Sequence, residues 1–122
     1  MDKINVVFKR AIESLKVSEL NFENEFYSAS INRSYYACFY MAKALLLKKG
    51  FNPKTHRGTI RQFGLEYVEK GNFDKHIAKF FSILEEDRED ADYDFSYDST
   101  RQIAQNDLNN AKLFIEESKK FL

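Results

Sequence analysis

Apolar residues in this chain recur at steps of three and four, and the segments that carry this rhythm are separated by short polar breaks. Ile4, Val7, Phe8, Ala11, Ile12 and Leu15 share one face of a first helix, predicted over about residues 3 to 20, with Asp2 placed to cap it. After Asn21-Phe22-Glu23-Asn24, a second stripe of Ile31, Tyr35, Cys38, Phe39, Ala42, Leu45 and Leu46 predicts a helix that ends in Lys48-Lys49-Gly50. Basic residues followed by glycine form a helix stop. Phe51 to Thr55 reads as a loop, because Pro53 disfavours helix in Asn52 before it. A short third helix, over about residues 56 to 69, carries Ile60, Phe63, Tyr67 and Val68 and stops at Gly71. A fourth begins near Phe73, turns Ile77, Phe80, Phe81 and Leu84 inward and runs to about Tyr93. Asp94 to Asp98 is a polar-aromatic connection. Ser99-Thr100-Arg101-Gln102 then has capping-box spacing, so Ser99 is expected to cap a fifth helix with Ile103, Ala104, Leu108, Ala111, Phe114 and Ile115 inward.

No strand-like alternation and no internal repeat interrupts this pattern. The predicted fold is all-α: an antiparallel up-and-down helical bundle of four long helices plus a short one, in a single domain over residues 1–122. The second helix is expected at its centre, because its stripe is the widest and Ala37, Ala42 and Ala44 let neighbours approach closely. A chain of 122 residues suits one hydrophobic core. With twelve Phe, seven Tyr and no Trp, that core must be built largely from flat rings.

Nineteen basic residues balance nineteen acidic ones, so no global field draws the protein to nucleic acid or an anionic membrane, and any RNA contact must be local. The single cysteine, Cys38, lies in an apolar run and suits a reducing compartment. Met1-Asp2-Lys3-Ile4-Asn5 lacks the layout of a signal peptide, and no apolar run approaches the roughly 20 residues of a membrane span. A cytoplasmic protein without a membrane partner is expected.

Glycine-rich phosphate loops, HExxH, CxxC and GxSxG are all absent. His56 and His76 have no carboxylate or thiol at metal-ligand spacing, so neither a metal site nor a cofactor is expected. His56 is expected to start the third helix and His76 to face solvent. Arg88 stands out because it falls in the row Ile77, Phe81, Leu84, Arg88, Ala91, on or beside the stripe that faces the bundle. Glu85 and Asp92, one turn to either side, can pair with it. Two readings stay open: a solvated helix end with arginine snorkelling past Leu84, or a functional cleft or dimer seam. A second row, Arg33, Tyr36, Tyr40 and Lys43, interleaves cations with phenols and could hold a phosphate and stack a base. It could equally be an amphipathic edge of the bundle or a dimer interface. Thr55-His56-Arg57-Gly58 could place Arg57 and free N–H groups near an anion, or act as a plain helix cap.

The block from Asn32-Arg33-Ser34-Tyr35-Tyr36 to Ala44-Leu45-Leu46 resembles that of a HEPN domain (higher eukaryotes and prokaryotes nucleotide-binding). The likeness continues through Gly50 with Lys54-Thr55-His56-Arg57-Gly58, through Arg88-Glu89-Asp90-Ala91-Asp92-Tyr93, and through Ala111 to Leu122. The resemblance implies a bundle that forms a homodimer about a shared cleft. It also implies kinship with metal-independent ribonucleases of toxin–antitoxin systems, often paired with a minimal nucleotidyltransferase. Their catalytic signature is an arginine followed after four to six residues by a histidine, the first stabilising phosphate and the second moving a proton. Here the slot reads Arg88 then Tyr93, and a helix-two alternative reads Arg33 then Tyr40. Neither ends in histidine, and a phenol with a pKa near ~10 is a poor base at neutral pH. The favoured expectation is a non-catalytic or weakly catalytic module that binds a nucleotide, single-stranded RNA or a partner nucleotidyltransferase through Arg33, Tyr36, Tyr40, Arg57 and Asp92. The alternatives are an active endoribonuclease using Arg88 with Tyr93 or His56, and a dimeric protein-interaction adaptor.

Overall fold

Asp2 caps the first helix as expected, accepting from the Ile4 N–H at 3.0 Å. In the computed structural model, which describes residues 2–94, 96 and 98–122, α1 (Lys3–Glu23) then runs three residues beyond the expected end. The Asn21-Phe22-Glu23 stretch still follows the helical rhythm, and the chain reverses only where Glu25 takes a left-handed φ of 64°. The second helix, α2 (Tyr27–Lys48), stops at Gly50, whose φ of 87° favours glycine. The third expected helix is two pieces. Regular α3 (His56–Phe63) passes into a π-helical turn (Gly64–Glu69), in which the Lys70 N–H reaches back to the Leu65 carbonyl at 3.0 Å. The wider turn swings Tyr67 inward to donate to the Leu45 carbonyl. At Gly71 a side chain would come within 2.8 Å of the Tyr67 carbonyl, so the chain can close here only on glycine.

Next come α4 (Lys75–Tyr93) and α5 (Arg101–Lys119). The cap of α5 is Thr100, accepting from the Ile103 N–H at 3.2 Å, and not Ser99. Ser99 instead accepts from the Ser28 hydroxyl at 2.6 Å, which ties the start of α5 to α2. The expected connection over residues 94–98 includes Phe95 and Tyr97, which lie outside the described residues.

Cross-helix pairs give the directions. Ser18 meets Ser30 and Ser34, and Asn32 meets Asp92, so α1 and α4 both run antiparallel to α2. Ser28 meets Ser99 and Lys48 meets Phe121, so α5 runs parallel to α2. The central helix touches all the others, and its Ala37, Ala42 and Ala44 are fully buried. The α1–α2 seam is closed by serines rather than alanines: the Ser18 hydroxyl lies 2.7 Å from that of Ser34 and 2.8 Å from the Ser30 carbonyl. Rings fill one end of the core, where Phe63 contacts Phe73, Phe81 and Phe114 at centroid distances of 5.0, 5.9 and 5.4 Å. Towards the other end of α4 the packing turns polar, and Arg88 occupies that region. Among the described residues, no helix is long and apolar enough to cross a membrane.

Candidate functional site

Successive turns of α4 put Phe81, Leu84 and Arg88 on its inward face, and all three are buried. Arg88 is only 6% exposed, so the reading in which it lies in a solvated helix end does not hold. Its Nη2 lies 2.6 Å from Glu85 Oε1 and 3.9 Å from Glu89 Oε1, and its Nη1 lies 3.8 Å from Asp92 Oδ2. The guanidinium also sits 4.9 Å from the Tyr35 ring centre, 6.0 Å from that of Tyr36 and 5.8 Å from that of Tyr93. Burial of a charge demands such compensation. Even so, Arg88 Nε and Glu85 Oε2 are buried without a hydrogen-bond partner.

Asp92 extends the cluster to α2. Its Oδ2 accepts from Asn32 Nδ2 at 2.9 Å, and Asn32 Oδ1 accepts from Arg33 Nε at 2.9 Å. The Arg33 guanidinium then lies 4.7 Å from the Tyr36 ring centre. The circuit Arg88, Asp92, Asn32, Arg33, Tyr36 therefore closes on itself, with both arginines against one ring. Burial holds the Tyr36 phenol above its ordinary value against the opposing pull of Arg88, so its hydroxyl remains a hydrogen-bond donor. Tyr40 packs its ring 5.8 Å from that of Tyr36 and faces the α1 side of the same row.

His56 starts α3 beneath the Thr55 cap, which accepts from the Gly58 N–H at 2.9 Å. Its ring stacks on Phe39 at 4.5 Å, and its Nδ1 lies 2.7 Å from the Tyr35 hydroxyl. Burial, followed by the nearby Glu85 carboxylate, pushes the phenol far above its ordinary value. His56 thus meets the Tyr35 hydroxyl, the Tyr35 ring stands against Arg88, and Arg88 bonds Glu85, a series of contacts that joins α3 to α4. When Tyr35 donates to His56, Nε2 carries the proton; when the imidazole donates from Nδ1 to the hydroxyl, it presents a basic Nε2. Burial holds the His56 imidazole below its ordinary value, opposed by Glu85 and assisted by Arg88 and Lys43, so it is neutral at neutral pH.

A cleft of about 390 Å³ opens above these contacts, with His56, Arg57, Ile60 and Arg61 of α3 on one wall and Ser82, Glu85, Glu86 and Glu89 of α4 on the other. Arg88 does not line it. Its partner Glu85 stands between the guanidinium and the opening.

With this geometry in place, the comparisons decide the family. The profile of the HEPN domain matches residues 4–121. The chain belongs to the HEPN domain family. A Methanocaldococcus jannaschii protein named as a candidate toxin is 32% identical over 120 residues, covering 98% of this chain and 82% of its own. A second protein of that organism, named in the same way, is 35% identical over 121 residues, covering 99% and 90%. A UPF0332 protein of Thermotoga maritima is 33% identical over 114 residues, covering 93% and 81%. The fold matches the crystal structure of a Thermus thermophilus protein over the whole of both chains, with a TM-score of 0.86 at 16% identity.

In this HEPN domain the site residues expected from sequence largely converge. Arg33, Tyr36, Arg88, Asp92 and Tyr93 meet around one circuit, and His56 joins it through Tyr35. Tyr93, in the histidine slot, is 72% exposed with its ring against Arg88. Arg57 lines the cleft beside His56, and Tyr40 turns towards α1. Sequence reasoning missed three residues. Tyr35 was assigned to the apolar stripe, although a tyrosine there must find a partner for its hydroxyl. Asn32 and Arg61 carried no role. Asn32 directly precedes Arg33, and Arg61 follows Arg57 by one turn, so both spacings were visible.

Proposed function

We propose that this HEPN domain is a toxin-type module that binds single-stranded RNA or a nucleotide on the tyrosine row of α2, with little or no cleavage of its own. The observation that carries this reading is the pair of arginines against the Tyr36 ring. A ring with two cations against it sets an aromatic surface beside phosphate-holding charge. Arg33 is the available one, since no carboxylate oxygen lies within 4 Å of it among the described residues. Arg88 is held by Glu85, and a phosphate would have to displace that carboxylate to reach it. With Glu85 on Arg88 and Tyr93 in place of histidine, phosphate clamp and general base are both compromised. A second copy is proposed to complete the cleft by packing on the apolar groove of Ile60, Leu65, Val68 and Ala78, which shares Ile60, Arg61 and Ser82 with it. Ile83, 46% exposed, lies one residue beyond Ser82. A minimal nucleotidyltransferase is the proposed protein partner.

Single-stranded RNA should bind more tightly at low salt, Arg33→Ala should weaken it about tenfold, and wild-type protein in EDTA should cut no more than Arg88→Ala. Unchanged affinity in a folded Arg33→Ala protein would rule this reading out.

One observation favours a second reading, that of an active metal-independent endoribonuclease. The Tyr35 hydroxyl lies 2.7 Å from His56 Nδ1 and burial keeps the imidazole neutral near pH 7, as a general base requires. This reading expects cutting in EDTA that is lost in His56→Ala and shifted along the pH axis in Tyr35→Phe.

A further inference from the structure

The tyrosine row of α2 has a groove on each side, and only one of them is the cleft above His56. The other, of about 310 Å³, lies between α1 and α2 and is lined by Arg10, Glu13, Ser14 and Val17 from α1 and by Arg33 and Tyr40 from α2. Its α1 residues fall one turn apart, so they present a single stripe to the row. Arg10 is exposed, and it too has no carboxylate oxygen within 4 Å among the described residues. Further along α2, Lys43 donates to Asn52 Oδ1 at 3.2 Å and lies near enough to Lys54 and Lys3 that their charges, after burial, hold its ammonium below the ordinary value. Lys3, Lys43 and Lys54 likewise lack a carboxylate at that distance. Cations brought together without counter-ions repel one another, and an arriving polyanion relieves that repulsion.

We infer that the α1–α2 groove is a phosphate track for single-stranded RNA, with Arg10 and Arg33 each holding a phosphate and the Tyr40 ring facing a base. The inference rests on the RNA reading proposed above and assigns to it a residue, Arg10, that lies on a helix outside the Arg88 circuit. With Ser18 against Ser30 and Ser34 in antiparallel helices, Arg10 stands level with about Tyr40, roughly 10 Å along α2 from Arg33, enough to separate two anchoring points along one strand. The half-buried Tyr40 ring lines the groove, backed by the Tyr36 ring 5.8 Å away, and an aromatic ring there can stack any base. Glu13 is the groove's one carboxylate and works against a phosphate there, which gives the track a signature of opposite sign. Both Arg10 and Glu13 lie on the solvent-facing side of α1, so neither substitution should disturb the fold.

The test is fluorescence anisotropy with a labelled oligouridylate of about ten nucleotides, beside a dinucleotide too short to span the groove. Arg10→Ala should weaken the longer strand about fivefold and flatten its log–log salt slope by about 0.7, the share of one single-strand phosphate. Glu13→Gln should strengthen it, and neither variant should alter dinucleotide binding. If both variants bind the longer strand like wild type while Arg33→Ala weakens it, the track is wrong and the RNA reading survives. If wild type binds neither RNA, the RNA reading fails and the track with it. Polyglutamate displacing RNA at matched charge would mark the face for an acidic protein surface and overturn the inference.

Discussion

Across the ring of Tyr36 the protein changes character. On the α4 side, every charged residue from Glu85 to Asp94 except Arg88 is acidic, and that arginine is buried against three carboxylates. On the α1–α2 side, Arg10, Arg33 and Lys43 outnumber Glu13, and these cations have no ion-pair partners among the described residues. A formal charge of zero thus conceals two opposed surfaces. The same residue type plays two parts here. Arg88 joins α4 to the aromatic centre of the bundle, whereas Arg33 has no ion-pair partner among the described residues.

The largest expected effect breaks the paired side. Glu85→Ala leaves the Arg88 guanidinium buried without its 2.6 Å partner, and stranding a buried charge costs about 3 kcal/mol or more. Urea unfolding of this variant should show that loss. A loss below about 1 kcal/mol would mean that Asp92 and Glu89 already neutralise Arg88 and that Glu85 is dispensable to the fold.

A second expectation concerns pH and belongs to the same acidic half. Asp107 of α5 is 2% exposed, and burial, reinforced by the neighbouring Asp87 carboxyl of α4, pushes its carboxyl up to about 9. In the unfolded chain the group titrates near ~3.9. Between those values the folded protein keeps a proton that the unfolded chain has released. The stabilising contribution is therefore complete below about pH 4 and is lost as pH rises towards about 9, at no more than about 1.4 kcal/mol per pH unit. Asp107→Asn keeps the shape and removes the titration, so wild-type stability should fall relative to the variant across this window. Parallel pH profiles for the two proteins would show that Asp107 is already ionised in the fold.

These two regions were not equally legible in the sequence. Helical periodicity located the elements, and Gly50 and Gly71 end theirs where glycine is needed, because both signals are local. The Arg33–Tyr36–Tyr40 row and the inward position of Arg88 are likewise properties of a single helix. What escaped depends on how helices rotate against one another. Serines 18, 30 and 34 read as surface residues until α1 and α2 press them together. The Tyr35 hydroxyl reads as core until His56, 21 residues away, meets it. Ser99 and Thr100 both fit a cap, and only the pull of Ser28 on Ser99 leaves Thr100 in the role. Charge segregation escaped for the same reason, since Arg10 joins the tyrosine row only through packing.

The smallest expected effect sharpens the contrast most. Arg33→Ala removes one hydrogen bond to Asn32 and one contact over Tyr36, both at a half-buried position that water can reach. Surface changes of this kind usually move stability by no more than about 0.5 kcal/mol. Asn32 keeps its bond to Asp92, so the α2–α4 link survives the substitution. The melting curve of Arg33→Ala should therefore overlie that of wild type while its RNA affinity falls. If its stability dropped as far as that of Glu85→Ala, both arginines would be structural, and the α2 row would lose its claim to be a surface kept charged for a ligand.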